Sequence, residues 1–232
     1  MSDRLNILVI LAHPDDETGC GGTLARLARA GHRITAVVAT DGSRGTQDRQ
    51  MRPERLAAIR REEMREACRR LGVREVHFLD YEDGTLREQP DLGERLFRVI
   101  RIHRPDIAIT LDGWRRWELH PDHRALGQLA AEACYLADSV WYYPEHEAMG
   151  IAPWKPRELL LFWTEEPNLI VDVSSTAPVR RHAADAHVSQ GSPDATFGEK
   201  YERWYRSAFP AEAALEEERF RKLFGSELAL EV

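Results

Sequence analysis

Two short stretches of the sequence share the pattern His-Pro-Asp, and both carry side chains that bind metals. The first is AHPDDE at residues 12–17, and the second is LHPDHRALG at residues 119–127. His13 and Asp16 are near enough in sequence to chelate one ion, and His123 can complete a His/Asp/His set. Two imidazoles and one carboxylate with an open fourth position are what a catalytic zinc requires, whereas a closed structural site would want several cysteines. The spacing therefore predicts a catalytic metal site.

Two other interpretations of these motifs stay open at this point. A single His-Pro-Asp motif also suits a capped helix start, because proline is favoured at the first helical position and acids suit the positive end of the helix dipole. A non-haem iron oxygenase also binds its metal through two histidines and one carboxylate. Those oxygenases are usually all-β proteins with His-x-Asp spacing. This chain instead has His-x-x-Asp spacing in a sequence that alternates between predicted strands and helices. Two such motifs at two strand ends favour a metal site over a helix cap.

The elements that must position these motifs alternate between apolar runs and helical periods. Strands are predicted at residues 5–11, 34–39, 76–79, 107–111, 159–162 and 169–173, with helices between them. Such an alternation, with strands that are apolar throughout, predicts an α/β fold with a Rossmann-like, mostly parallel sheet and helices on both faces.

The chain is predicted to form one domain over residues 1–232. Within it, a core at about 6–190 carries the motifs, and residues 191–232 are predicted to be a helical C-terminal region. The proline-rich stretch 142–158 is predicted to be a surface loop near the mouth of the site.

Polar side chains follow four of the predicted strands. His13 follows the first strand, Asp41 the second, Asp83 the third, and His120 and His123 the fourth. Ligands of such sheets bind beyond the carboxyl ends of the strands. These groups are therefore expected to meet at one edge.

The glycine-rich turn after the first strand resembles a dinucleotide fingerprint only in part. Gly19 and Gly21 match the G-x-G-x-x-G/A pattern, but Leu24 occupies its third position. The carboxylates of residues 15–17 would repel a diphosphate, although Asp41 could imitate the acidic ribose contact. A nucleotide-binding or sensing module without catalysis remains an alternative. The glycines are expected to let the helix start pass close under a metal site.

Composition limits the possible partners. The 232 residues include 43% apolar and 31% charged side chains with a net charge of -7, as in a soluble globular domain without affinity for nucleic acid. The apolar runs are too short to span a bilayer, and no signal peptide is evident. Three distant cysteines indicate a reducing compartment without a disulfide framework. A cytoplasmic protein without membrane contact is predicted.

The two motifs together resemble the zinc-dependent N-acetylglucosaminyl deacetylases of the PIG-L/LmbE family. Further stretches follow the order of that family: TDGSRG (40–45), RREEMREACRRLG (60–72), FLDYEDGTL (78–86), RPDIAIT (104–110) and VDVS to HVSQ (171–190).

The resemblance implies a hydrolase that removes the N-acetyl group from a GlcNAc-containing small molecule or glycoside. It implies that His13, Asp16 and His123 hold Zn²⁺, although Fe²⁺ can occupy such a site in the cell. An amidase acting on a thiol-sugar conjugate would use the same residues and remains an alternative. The family analogy also suggests a homo-oligomer.

The resemblance further implies the catalytic roles. Asp15 is expected to be the general base that takes a proton from metal-bound water. His120 is expected to stabilise or protonate the developing intermediate. Asp122 is expected to hold the imidazole of His120 in the donating, protonated form.

Substrate contacts are expected from Arg44, Arg60, Asp83 and His187. The family often has a lysine shortly before this last histidine, and here Arg180 or Arg181 is the candidate substitute. Four tryptophans are candidates for stacking on a sugar, although core or interface packing is the expected use for most of them: Trp114, Trp117, Trp141 and Trp154.

Overall fold

The computed structural model describes residues 4–209 and 215–225, and its frame is one seven-stranded sheet. The strands are β1 (Asn6–Leu11), β2 (Arg33–Thr40), β3 (Glu75–Tyr81), β4 (Ile107–Leu111), β5 (Glu158–Phe162), β6 (Leu169–Asp172) and β7 (Glu217–Phe224). Their order across the sheet is β3-β2-β1-β4-β5-β7-β6. The first five strands run parallel, and β7 pairs antiparallel with both β5 and β6. The predicted α/β fold with a mostly parallel sheet is confirmed.

Helices cover the sheet in two groups. The α-helices are α1 (Gly21–Arg29), α2 (Pro53–Leu71), α3 (Leu92–His103), α4 (Pro121–Leu136), α5 (Glu145–Ala148), α6 (Ala177–Ala184) and α7 (Phe197–Ala208). Helices α1, α2 and α6 contact one another, and α3 packs on α4. Short 3-10 helices occupy residues 16–19, 86–88 and 188–190.

Local sequence explains where these elements lie. Strands β4 and β5 are buried along their whole length, as is all of β1 after Asn6. This burial accounts for their unbroken apolar sequences. Helix α2 begins with Pro53 in its first turn and ends at Gly72, whose φ of 80° is readily adopted only by glycine.

The predicted helical C-terminal region needs a correction. Helix α7 lies in it, but Glu217–Phe224 forms strand β7, which inserts between β5 and β6. The side chains of Glu218 and Phe220 alternate inward, the period of a strand. The remainder of that predicted helix, at 210–214 and 226–232, lies outside the described residues.

The stretch 142–158 lies away from the site mouth where it was predicted. Trp154 donates its backbone N–H to the carbonyl of Ala137 and its indole N–H to the carbonyl of Pro105. Since Pro105 lies two residues before the start of β4, these bonds hold the stretch at the amino end of the parallel strands, opposite to their carboxyl edge. The prediction of a loop near the site was wrong because the chain must return to this end before β5 can run parallel to β4.

No helix in the described part of the chain combines the length and the apolarity that crossing a membrane requires.

Candidate metal centre

The two His-Pro-Asp motifs meet at the carboxyl edge of the sheet. His13 follows β1, and His120 and His123 lie at the start of α4 after β4. Nδ1 of His13 is 3.2 Å from Nε2 of His123, and the ring centres of His13 and His120 are 4.4 Å apart. The folded chain therefore joins residues that are 110 positions apart into one cluster.

Asp16 adds a carboxylate to this cluster. Its oxygens lie 3.6 Å from Nδ1 of His13 and 3.4 Å from Nε2 of His123. Its Oδ2 accepts the backbone N–H groups of Ala12 and His13, which fixes the carboxylate over the end of β1. Ligand atoms about 2.0–2.1 Å from a tetrahedral ion are about 3.3–3.4 Å apart. Nδ1 of His13 and Nε2 of His123 are 3.2 Å apart, and the Asp16 carboxylate reaches the first through Oδ2 over 3.6 Å and the second through Oδ1 over 3.4 Å. The carboxylate therefore lies close enough to both rings for the three residues to share one ion.

The other ring nitrogen of His13 faces two carboxylates. Its Nε2 lies 3.2 Å from Oδ2 of Asp122 and 3.3 Å from Oδ1 of Asp83. The Asp122 carboxylate is fully buried and also accepts the backbone N–H groups of Gly84 and Leu86. A carboxylate that holds the second nitrogen of a metal-binding histidine fixes its tautomer and ring orientation. Here it turns Nδ1 of His13 toward the other two donor groups.

The expected contact between the Asp122 carboxylate and the imidazole of His120 is therefore wrong. The link between these residues is a backbone one, in which the N–H of Asp122 donates to Nδ1 of His120 over 3.3 Å. Because Nδ1 accepts, the ring proton of His120 lies on Nε2. Burial and the charges of His13 and His123 lower the pKa of His120. This lowering of the pKa works against the protonated form of His120 that the sequence predicted.

The cluster has the electrostatics of a cation site. Burial raises the pKa of Asp16, but His123 and His13 outweigh it and hold that pKa well below its ordinary value. Burial lowers the pKa of His13, yet the carboxylates of Asp122, Asp16 and Asp83 hold it well above 6.5. Asp16 similarly raises the pKa of His123 to about 9 against the effect of burial. The carboxylates attract positive charge to these imidazoles, and a divalent cation competes with protons for the same nitrogens.

Asp15 is held in an unusual conformation beside the cluster. Its φ of 134° lies in a region that L-residues rarely adopt and that costs backbone energy. Nη2 of Arg60 donates to Oδ2 of Asp15 over 2.8 Å and to the carbonyl of Pro14 over 2.6 Å. Burial raises the pKa of Asp15, and the charge of Arg60 opposes that rise. A fixed carboxylate with increased proton affinity is suited to accept a proton.

Arg60, which was predicted to contact substrate, is buried and bonded to the protein. Its Nη2 makes the bonds to Pro14 and Asp15 described above, and its Nη1 donates to the carbonyl of Gly42 over 2.8 Å. Gly42 has a φ of 64°, and a Cβ there would lie only 2.6 Å from Nη1 of Arg60. The glycine in TDGSRG thus makes room for the guanidinium. The position of Arg60 indicates that it orients Asp15.

Two cavities open over the cluster, and both are lined by Asp15, His120 and His123. The polar cavity has a volume of about 430 Å³, and its other lining residues include Arg44, Arg60, Asp83, Gly84 and Gln190. The aromatic cavity has a volume of about 570 Å³, and its other lining residues include Trp117, Trp163, Phe197, Lys200, Tyr201 and Trp204. The metal cluster lies where the two cavities meet.

Of the predicted substrate contacts, Arg44 and Asp83 line the polar cavity together with Arg60. Oδ2 of Asp83 accepts the backbone N–H of Arg44 over 3.0 Å. His187 lines neither cavity, so its prediction as a pocket residue was wrong. It is fully buried, with Nε2 2.7 Å from Oε1 of the equally buried Glu17. This pair supports the AHPDDE turn from within the protein.

The predicted substitutes for the family lysine also lie elsewhere. Arg180 is buried against Glu218, with a separation of 3.2 Å, and Arg181 pairs with Glu202 over 2.8 Å. Neither arginine lines either cavity. Lys200, from α7, lines the aromatic cavity and brings a cation to the site from a different element.

The residues that the sequence interpretation missed belong to the aromatic cavity. Trp163 follows β5, and Phe197, Tyr201 and Trp204 lie on α7. Of the four tryptophans named from the sequence, only Trp117 lines this cavity. A signal was available, because aromatic residues at 197, 201 and 204 have the i, i+4, i+7 spacing of one helix face.

The glycine-rich turn is explained by packing. A Cβ at Gly19 would lie 2.6 Å from the ring of Phe162, and one at Gly22 would lie 2.8 Å from Cβ of Val173. These glycines therefore admit side chains from β5 and the segment after β6. The sequence interpretation expected the glycines to let the helix start pass close under a metal site, whereas the close neighbours of Gly19 and Gly22 are packing side chains.

The amino end of α1, where a dinucleotide fold binds its pyrophosphate, already accepts an anion from the protein. The backbone N–H groups of Gly22 and Thr23 donate to the two carboxylate oxygens of Glu218 over 2.7 and 2.8 Å. The carboxylate of Asp41, which could have imitated the acidic ribose contact of a dinucleotide site, instead accepts the backbone N–H of Asp83. These bonds argue against the nucleotide-binding alternative.

This fold and this cluster of two histidines and an aspartate define a class of metal-binding α/β hydrolases. A family model described as PIG-L, GlcNAc-PI de-N-acetylase, matches residues 8–134. The chain is 34% identical over 194 residues to diacetylchitobiose deacetylase of Thermococcus kodakarensis, covering 83% of this chain and 73% of that protein. The protein belongs to the PIG-L family and is a deacetylase.

Solved structures support the same assignment. The N,N'-diacetylchitobiose deacetylase of Pyrococcus horikoshii, in complex with the inhibitor MPG, superposes with a TM-score of 0.87 at 32% identity, covering 95% of this chain and 84% of that one. The 4-carboxy-2-hydroxymuconate hydratase GalB of Pseudomonas putida KT2440 gives a TM-score of 0.77 at 22% identity, covering 98% and 99%. The second likeness concerns the fold alone, which therefore hosts more than one chemistry.

Proposed function

We propose that this protein is a zinc-dependent hydrolase that removes the N-acetyl group from a GlcNAc-containing small molecule or glycoside. The observation that carries the proposal is the set of three donor groups, from His13, Asp16 and His123, with separations of 3.2 to 3.6 Å. Two imidazole nitrogens and one carboxylate with open space beside them suit a catalytic Zn²⁺. Fe²⁺ suits the same donors and is the alternative metal.

The chain contributes a base to this reaction. A bound Zn²⁺ supplies Lewis-acid chemistry, polarising a carbonyl and lowering the pKa of water. The carboxylate of Asp15 lines both cavities beside the three donor groups and accepts the proton of the attacking water. Arg60 holds this carboxylate in place through its 2.8 Å ion pair. Asp15 can then return the proton to the leaving amine.

His120 contributes a hydrogen-bond donor beside the cluster, with its ring centre 4.4 Å from that of His13. Its Nδ1 is engaged by the backbone of Asp122, so Nε2–H is the donating group. A donor that is fixed before the reaction stabilises negative charge on the former carbonyl oxygen without a cost of reorganisation. The role of Asp122 is to orient His13 through its 3.2 Å contact.

The polar cavity suits the hydroxyl groups of an amino sugar. Arg44 and Asp83 provide donors and acceptors on its wall, and Arg60 adds positive charge. An amidase that acts on a thiol-sugar conjugate would use the same site, and product analysis separates the two activities. A homo-oligomer, a cytoplasmic location and a single domain over residues 1–232 remain part of the proposal.

Acetate release tests the function directly. The purified protein is treated with a chelator and then supplied with Zn²⁺ or Fe²⁺, and each form is incubated with a panel of N-acetylated glycosides and one thiol-sugar conjugate. We expect acetate and a free amine in equal amounts, loss of activity with the chelator and recovery with Zn²⁺. Full activity in the chelated protein, or no acetate from any member of the panel with either metal, would overturn the proposal.

A further inference from the structure

The carboxylate of Glu118 lies beside both histidines of the second His-Pro-Asp motif. Its Oε1 accepts the backbone N–H of His120 over 2.9 Å, and its Oε2 lies 3.6 Å from Nδ1 of His123. The residue directly precedes the stretch 119–127 that contains the motif. One side chain outside the motif therefore reaches the hydrogen-bond donor and the imidazole that faces the cluster.

The outer ring nitrogen of His123 needs an acceptor. Its Nε2 faces Nδ1 of His13 at 3.2 Å and Oδ1 of Asp16 at 3.4 Å. When Nε2 of His123 binds an ion, Nδ1 carries the ring proton. Among the described residues this Nδ1 is buried and has no hydrogen-bond partner, which is unfavourable for an N–H group. A movement of about 0.5 Å brings Oε2 of Glu118 within hydrogen-bond distance of it.

Glu118 is held where this contact requires it. Its side chain is 14% exposed, and its Oε2 lies 3.5 Å from Nη1 of Arg115. Its backbone N–H donates to the carbonyl of Arg115 over 3.3 Å. Arg115 is itself packed, because its guanidinium lies over the ring of Phe209 at 4.7 Å. These contacts restrict the carboxylate before any ion binds, so it loses little side-chain entropy when it accepts a hydrogen bond.

The arrangement at His123 matches the one at His13. Asp122 lies 3.2 Å from Nε2 of His13, the ring nitrogen that faces away from the other donor groups. Glu118 takes the corresponding position at Nδ1 of His123. The six residues ELHPDH at 118–123 supply both carboxylates. A carboxylate at the outer nitrogen of a metal-binding histidine fixes the ring and raises its basicity.

We propose that Glu118 is a positioning residue that holds the imidazole of His123 toward the metal by accepting its Nδ1–H. The inference rests on the proposed function, since it needs His123 to hold the ion through Nε2. It adds a residue outside the two motifs to the metal centre. Its effect falls on metal affinity and on the geometry of the bound ion.

Glu118→Gln tests this role, because it keeps the size of the side chain and an oxygen for the N–H of His120 but replaces a charged acceptor with a weaker neutral one. We expect the Kd for Zn²⁺, measured by competition with a chromogenic chelator, to rise about tenfold, and about 100-fold in Glu118→Ala. The thermal midpoint of metal-free Glu118→Gln should stay within about 2 °C of the wild-type value. Glu132→Gln makes the same change at an exposed position of α4 and is the matched control.

A zinc affinity within about twofold of the wild-type value in both Glu118 variants would overturn the positioning role, whatever happens to the thermal midpoint. If the affinity fell only in Glu118→Ala, or fell together with the midpoint, the visible spectrum of the Co²⁺-loaded variant decides, because its bands depend on ligand geometry. Shifted bands would support the role, and bands identical to those of the wild-type protein would overturn it.

The same measurements separate this inference from the proposed function. A wild-type protein that binds zinc but releases no acetate would overturn the deacetylase function and leave the role of Glu118 to be decided by the affinities. A wild-type protein that binds no zinc would overturn both.

Discussion

The two His-Pro-Asp motifs share the same three residues, but their aspartates occupy different environments. In the first motif, Asp15 has a φ of 134° and its carboxylate lines both cavities. In the second motif, Asp122 lies in the first turn of α4, is fully buried and contacts Nε2 of His13. One aspartate faces the two cavities, and the other holds Nε2 of His13, whose Nδ1 faces His123.

The histidines of the two motifs differ in the same way. His13 directs Nδ1 toward the other donor groups. His120 is the N-cap of α4, and its Nδ1 accepts the N–H of Asp122. In the second motif it is His123, one helical turn later, whose Nε2 approaches Nδ1 of His13 and the Asp16 carboxylate. The backbone conformation after the proline explains this difference. The strained turn at Asp15 and the regular helix at Asp122 direct side chains of the same type to different places.

The largest effect is expected from His13→Ala, which removes a donor group and the partner of Asp122. Zinc content should fall below about a tenth of the wild-type value, with deacetylation reduced to background, because two donors hold a catalytic ion poorly. Elemental analysis of the purified protein measures the content. His182→Ala changes an exposed histidine and should keep both metal and activity. A His13→Ala protein with a full complement of zinc would remove His13 from the donor set.

Asp15→Asn should cost about 10³-fold in kcat, within the range for a lost general base, while zinc content stays at the wild-type level. Asparagine tolerates positive φ, so this substitution preserves the backbone better than alanine does. Steady-state kinetics and elemental analysis are performed on the same preparation. Loss of zinc together with activity would show that Asp15 is a ligand and not the base.

His120→Ala should lower kcat by about 10²-fold through the lost donor, with zinc retained. The substitution also removes the N-cap of α4, which typically costs about 1 kcal/mol of stability. The thermal midpoint is therefore measured beside the kinetics. His120→Gln restores a side-chain N–H and should recover part of kcat. Unchanged turnover in His120→Ala would exclude His120 from the mechanism.

The smallest effect is expected from Asp122→Asn. Its carboxylate orients His13, so zinc affinity should fall about 10- to 100-fold, and most activity should return at saturating zinc. A competition titration with a chromogenic chelator measures the affinity. A fall in kcat at saturating zinc with an unchanged zinc affinity would indicate that Asp122 acts through His120 and not through His13. The aspartates of both motifs would then serve the reaction itself.

Local pattern was enough to predict the parallel part of the fold. The strands at residues 107–111 and 159–162 were placed to within one residue, because fully buried strands must be apolar throughout. Strand β7 was missed, since its charged sequence alternates only weakly and its buried positions depend on the pairing with β5 and β6. The carboxylate of Glu218 on the amino end of α1 joins residues nearly 200 positions apart and had no local signal.

The sequence by itself determined which residues gather at the carboxyl edge, because strand ends and helix starts follow from apolar periodicity and from proline. It thus determined the membership of the cluster around His13, Asp16 and His123. Only the tertiary structure decided which way each side chain faces. Asp122 turns to His13, Arg60 turns to Asp15, and α7 brings Trp204 to the site, because such contacts depend on backbone angles and on neighbours far away in the chain.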